Sequence, residues 1–327
     1  MSRANLNGIF LALLAFGLFS IHDVIVKILG ANYAPFQIVF FSVLFGFPLA
    51  TLMLMRDATD GNLRPKHPMW TALRTASAVI TGVSAFYAFT NLPLAQVYAI
   101  VFATPLFITI LSIPILGETV RFRRWAAVVA GMLGVIIVLR PGQTDLTLAH
   151  LAALSCAVFG ALASVIVRKI GREERSIVLM LYPMMANFVL MLALLPFVYV
   201  PVPLTHMAGF ATMALLAFAA MLCLISAYRK AEAALIAPMQ YSQIIWAVAF
   251  GFLLFDEVPD RETGIGVAVI IMSGLYIVFR ESRGTGSVNQ PVLRTRSRAA
   301  TPSTPRIGPQ LDPKERDRSV SKPDELS

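Results

Sequence analysis

Apolar runs of about 20 residues recur along this chain, and that is the length a helix needs to cross the hydrocarbon core of a bilayer. They dictate the fold class. A backbone in lipid must satisfy its own hydrogen bonds, which leaves helices or a closed barrel. The period-two alternation of barrel strands is absent. The chain is 57% hydrophobic and 14% charged, with a mean hydropathy of +0.73; soluble domains are nearer half apolar and one quarter charged. The expectation is an all-α polytopic membrane protein with ten transmembrane helices at about residues 8–29, 36–55, 69–90, 94–116, 122–139, 147–170, 176–198, 206–228, 233–255 and 262–280. The first run is too long for a cleaved leader.

The formal net charge of +9 has a distribution that argues against a nucleic-acid surface. Arg3, Arg56, Arg64, Lys66, Arg74, Arg121, Arg123, Arg124, Arg168, Lys169, Arg172, Arg175, Arg229 and Lys230 fall on one side of the expected spans. Only Lys27, Arg140 and Arg261 fall on the other. Cationic loops stay in the cytoplasm, so both termini are expected there. Residues 281–327, rich in Ser, Pro, Arg and Asp, read as a disordered cytoplasmic tail. Cys156 and Cys223 fall within spans and read as packing, not as a disulfide or metal site.

The chain also repeats itself at an offset of 139–141. "DVIVKILG" at 23–30 aligns with "SVIVRKIG" at 164–171, Tyr87 with Tyr228, "LGETVRFRRW" with "FDEVPDRETG", and "GVIIVLRP" with "GLYIVFRE". Residues 1–145 and 146–280 thus form two five-helix repeats. An odd number of spans turns the second upside down, so the pair is inverted, with a substrate site expected between them near mid-membrane. The segments "TPLFITILSIPILGETVRFRRWAAVVAGMLGVIIVLRPG" and "APMQYSQIIWAVAFGFLLFDEVPDRETGIGVAVIIMSGLYIVF" resemble the EamA-type branch of the drug/metabolite transporter superfamily over residues 8–280. "HDVIVKILG", "APMQY" and "DEVPD" look like the members that carry riboflavin or S-adenosylmethionine. The resemblance implies a secondary transporter of the bacterial inner membrane.

Candidate site residues follow from polarity inside apolar spans. His22 and Asp23 lie within the first helix, where charge facing lipid costs about 2.5–3.5 kcal/mol or more, so both are expected to face the interior. Lys27, one turn on, is expected to pair with Asp23. Gln240, Tyr241, Gln243 and Trp246 bring two amides and two aromatics to the start of the ninth span; Gln96 and Tyr98 hold the equivalent place in the first repeat. Tyr87 and Tyr228 are repeat-related candidates. Pro105 is expected to kink the fourth span. Glu118 and Glu257 read as caps of the helices that follow them. The small-residue pairs Ala127/Gly131 and Ala130/Gly134 suit close packing within the chain, with a homodimer as the alternative. No nucleophile elbow, phosphate loop or metal-ligand spacing is present, so neither an enzyme nor a cofactor or metal is expected. The partners expected are the lipid bilayer and a small-molecule substrate. Amides beside aromatics suit a flat heterocycle, which makes riboflavin the first cargo expectation, S-adenosylmethionine the second, and an amino acid or drug for export the third.

Overall fold

The structure is a computed structural model that describes residues 3–54, 63–117, 122–140, 145–171, 173–231 and 233–282. Within them every regular element is helical: α1 (Arg3–Gly30), α2 (Pro35–Leu54), α3 (Pro68–Asn91), α4 (Leu94–Val101), α5 (Thr104–Leu116), α6 (Phe122–Leu139), α7 (Leu148–Ile170), α8 (Ser176–Val198), α9 (Leu204–Lys230), a single turn α10 (Ala233–Ile236), a 3₁₀ turn at Ala237–Tyr241, α11 (Ser242–Phe255) and α12 (Arg261–Ser282). Among the described residues seven helical segments are long and apolar enough to span a bilayer, α4–α5 and the 3₁₀ turn with α11 each counted as one; Pro35–Leu49 and Trp125–Leu139 are shorter apolar stretches. Large apolar side chains such as Phe10, Phe122, Phe197, Leu204 and Leu253 are well exposed. An outer surface this apolar is made for lipid. Glu118, Arg121 and residues 283–327, which include most of the expected tail, lie outside the described residues.

Helix ends follow local chemistry. Gly117 takes a left-handed φ of 69° and its amide reaches Ile113 O at 3.0 Å, closing α5. Asp256 does the same for α11 at φ 54°, a conformation that Asp tolerates better than most residues. Pro105 has no N–H to offer the Val101 carbonyl, and the Thr104 hydroxyl donates to that oxygen instead at 2.6 Å. The fourth apolar run is therefore broken into α4 and α5, as Pro105 leads one to expect.

Small residues set the packing. Gly134 of α6 meets Gly266 and Ile270 of α12, and Gly131 meets Ser273 and Leu106; α6 and α12 thus run antiparallel in close contact. The small faces of α6 are filled from within the chain. Gly8 packs on Ala227 and Ala231 while Gly209 packs on Leu29, so α1 and α9 are antiparallel too. α3 pairs with α7 and α2 with α8. Cys156 is buried and Cys223 half-buried, and neither forms a disulfide among the described residues.

Candidate functional site

A polar cluster sits where the broken helices meet α1. His22 and Asp23 are each 2% exposed. The Nδ1 of His22 lies 2.8 Å from Asp23 Oδ1. The Tyr98 hydroxyl, from α4, donates to Asp23 Oδ2. Gln243, from α11, donates through Nε2 to the Tyr98 oxygen at 3.3 Å. The last donor closes a chain of side chains from both halves: His22, Asp23 and Tyr98 from the first, Gln243 from the second. Nε2 of His22 is buried with no hydrogen-bond partner. A carboxylate at this depth is costly, and charge-assisted donors such as Tyr98 O–H and His22 N–H offset that cost.

Rings surround these groups. Phe86 meets His22 edge-on at 6.2 Å. Phe89 and Phe102 lie 5.4 and 5.7 Å from Tyr98. Phe102, at the α4–α5 break, lies 5.2 Å from Tyr241 at the 3₁₀ break. All are buried. The aromatics Phe86, Phe89 and Phe102 were missed in sequence because single phenylalanines in an apolar run carry no local signal.

The remaining candidates are scattered around this cluster. The Tyr241 hydroxyl is seated against Gly274 of α12, where a Cβ would collide with it. Gln240 is half-buried in the 3₁₀ turn. Trp246 is 39% exposed; it stacks on Phe250 at 5.8 Å and covers Gly17 of α1, outside the cluster. Tyr87 is half-buried on α3, and Tyr228 packs with the α1–α9 cluster. Gln96 lines a cavity of about 280 Å³ together with Ala95, Ala247, Gly251, Asp256, Glu257 and Asp260. Ala247 of that lining lies one helical turn from Gln243.

Two expected contacts are replaced. Lys27 turns to Glu257, with Nζ 2.5 Å from Oε1, and donates to the Leu92 carbonyl at 2.6 Å; Asp23 is met by His22 and Tyr98. Glu257 does not cap α12. Its Oε2 accepts the Leu94 N–H at 3.0 Å and so caps α4. Asp260 caps α12, accepting the Thr263 N–H at 3.0 Å, and also pairs with Arg140. Among the described residues no three His, Cys, Asp or Glu side chains gather as a metal site.

An apolar helical bundle with broken helices and a buried polar centre built from both halves defines a polytopic membrane protein of transporter type. The profile of the EamA-like transporter family matches residues 6–140 and again 147–280, and the chain belongs to that family. A S-adenosylmethionine uptake transporter of Rickettsia prowazekii is 25% identical over 88% of this chain and 98% of its own. A riboflavin transporter of Rhizobium johnstonii is 30% identical over 73% of this chain and 80% of its own. A pseudopaline exporter of Pseudomonas aeruginosa is 27% identical over 82% of this chain and 94% of its own. One solved crystal structure, 18% identical, matches 88% of this chain and all of that one with a TM-score of 0.57; the two share a fold.

Proposed function

We propose that this chain is a secondary transporter of the bacterial inner membrane that carries a small organic metabolite, the cationic S-adenosylmethionine ahead of the neutral riboflavin. The observation that carries this reading is the buried Asp23 carboxylate, held by His22 and Tyr98, whose own rings are met by Phe86, Phe89 and Phe102. A buried carboxylate with aromatic rings close by is the chemistry that recognises onium cations. S-adenosylmethionine bears a sulfonium; riboflavin is neutral. The flat amide-and-aromatic pocket that favours riboflavin on sequence is divided, with Tyr241 against Gly274 and Trp246 on the outer surface. The relatives that transport S-adenosylmethionine support the same ranking by covering nearly their whole length. Riboflavin remains the second reading because riboflavin transporters are among the relatives at 29–30% identity.

The architecture proposed is ten spans in two inverted halves, 1–145 and 146–280, with both termini cytoplasmic. The antiparallel contact of α6 with α12, which end the two repeats, supports inversion. The left-handed caps at Gly117 and Asp256, 139 residues apart, support the repeat itself. Lys27, Leu94 and Glu257 then lie at the outer face. The cavity beside Gln96 is the outer approach, and Asp23, His22, Tyr98 and Gln243 form the central site. Gln96, Gln240 and Tyr241 border it; Tyr87, Tyr228 and Trp246 take supporting places.

Proteoliposomes of phosphatidylethanolamine and phosphatidylglycerol containing the full chain test this reading. Labelled S-adenosylmethionine should enter, and unlabelled S-adenosylmethionine should compete at least about tenfold better than S-adenosylhomocysteine, which lacks the sulfonium charge; that ratio is about 1.4 kcal/mol. Tyr98→Phe should weaken the half-saturation concentration by a similar factor. Riboflavin uptake that S-adenosylmethionine does not inhibit would overturn the cargo ranking. Equal competition by the two adenosyl compounds would remove the onium site.

A further inference from the structure

A second polar face, on α3, takes no part in the Asp23 cluster. Thr71, Arg74 and Thr75 stand three and four residues apart and so share one side of the helix. Thr71 is 1% and Arg74 8% exposed. Nε and Nη1 of Arg74 and the hydroxyls of Thr71 and Thr75 are all shut from solvent with no hydrogen-bond partner among the described residues. Arginine keeps its charge at any physiological pH. A buried guanidinium with two bare nitrogens is strongly unfavourable until an acceptor completes it.

Two further cations lie alongside. α7 runs antiparallel along α3, with Gly160 against Thr81 and Lys169 Nζ 4.4 Å over the Trp70 ring. That register sets Arg168 level with Thr71–Arg74. Two carboxylates stand at the start of α3 and contact His67, not Arg74: Glu173 lies 2.6 Å from His67 Nε2, and Glu174 accepts the His67 backbone N–H at 2.5 Å. Four unsatisfied polar atoms on one face, one group cationic and two able to donate as hydroxyls, call for an anionic oxygen ligand.

We propose that Thr71, Arg74 and Thr75 form a second binding site, at the end of the bundle opposite Lys27, for a carboxylate or phosphate group. Its source is either a soluble metabolite or an anionic lipid headgroup. The site goes beyond the Asp23 reading and does not depend on which cargo is carried.

The full-length protein in maltoside micelles is titrated with inorganic phosphate and with acetate at fixed ionic strength, and tryptophan emission is followed, since Trp70 lies one turn from Arg74. In parallel, emission is compared in nanodiscs of phosphatidylcholine with and without phosphatidylglycerol. The expected result is a saturable change that Arg74→Gln weakens at least tenfold and that the double variant Thr71→Val with Thr75→Val weakens several-fold. The threonine variant keeps side-chain volume and tests the site even if the arginine variant fails to fold. Saturation by phosphate or acetate supports a soluble ligand, and a change seen only with phosphatidylglycerol supports a headgroup. No response to any of these anions, or an equal response in wild type and both variants, overturns the site and leaves the Asp23 reading untouched.

Discussion

Neutralising Glu257 tests the tie at the Lys27 end of the bundle. Lys27 Nζ sits 2.5 Å from Glu257 Oε1, and the two side chains are 13% and 20% exposed. An exposed pair contributes about 0–1 kcal/mol, whereas removing one member of a fully buried pair costs about 3–5 kcal/mol. This pair is largely but not fully enclosed, so Glu257→Gln should cost about 1–3 kcal/mol. Glutamine keeps the side-chain length and an oxygen for the Leu94 N–H, so the loss reports the charge. A double-mutant cycle with Lys27→Gln, read by thermal unfolding of purified protein, should give a coupling of about 1–2 kcal/mol. Enclosure beside the Phe255 ring, whose centroid is 5.2 Å from Nζ, should let most of that coupling survive 1 M salt, where the Debye length is about 3 Å. The matching cycle of Lys27→Gln with Asp23→Asn should couple less, because His22 and Tyr98 meet Asp23. A coupling to Asp23 larger than that to Glu257, or a Glu257 coupling below about 0.3 kcal/mol, would refute the reasoning.

Gly274→Ala should destabilise the protein by about 1–3 kcal/mol, the usual cost of overpacking, since the new Cβ would fall on the Tyr241 hydroxyl. Adding Tyr241→Phe should recover part of that loss in the same melting assay; an unchanged melting point for Gly274→Ala alone would contradict the packing. Acid should dissolve the contribution of Asp260. Burial acts to raise its pKa, but hydrogen bonds from Thr263 and Arg140 and the Arg140 charge outweigh it and hold the carboxyl below its ordinary 3.8. A lowered folded pKa stabilises at neutral pH and loses that stabilisation as pH falls through it. The melting difference between wild type and Asp260→Asn should therefore be full at pH 7 and shrink below about pH 4; a difference constant from pH 7 to pH 3 would contradict this.

What the sequence made legible was local. The α4–α5 break could be read because proline cannot donate and Thr104 stands beside it. Asp23 and His22 could be placed inside because lipid penalises charge. Distant partners could not. The rule of four residues along a helix favours Lys27 with Asp23, but α3 ends and α4 begins beside Lys27, leaving the Leu92 carbonyl and the Leu94 amide without intrahelical partners. Unpaired backbone groups in an apolar setting draw charged side chains strongly, and here they draw Lys27 from α1 and Glu257 from beyond α11. Arg74 shows the same limit. On sequence it is one more loop-proximal cation; only the packing of α7 against α3 encloses it.

The stretch 237–246 shows why a cluster in sequence need not be a cluster in space. On a uniform helix Gln240, Gln243 and Trp246 would follow one another along a single stripe. The turn at Ala237–Tyr241 is 3₁₀, with three residues per turn instead of 3.6, so the phase changes between Gln240 and Gln243. Gln243 turns inward to Tyr98, Tyr241 inward to Gly274, and Trp246 outward over Gly17. The same irregularity puts Tyr241 beside Phe102, so the breaks of the two halves touch. Asp23 stands at that junction, where Tyr98 from the first half donates to its carboxylate and Gln243 from the second half donates in turn to Tyr98. A motion that separates the halves must part Gln243 from Tyr98, and a ligand that replaces that hydrogen bond would lower the cost of the separation.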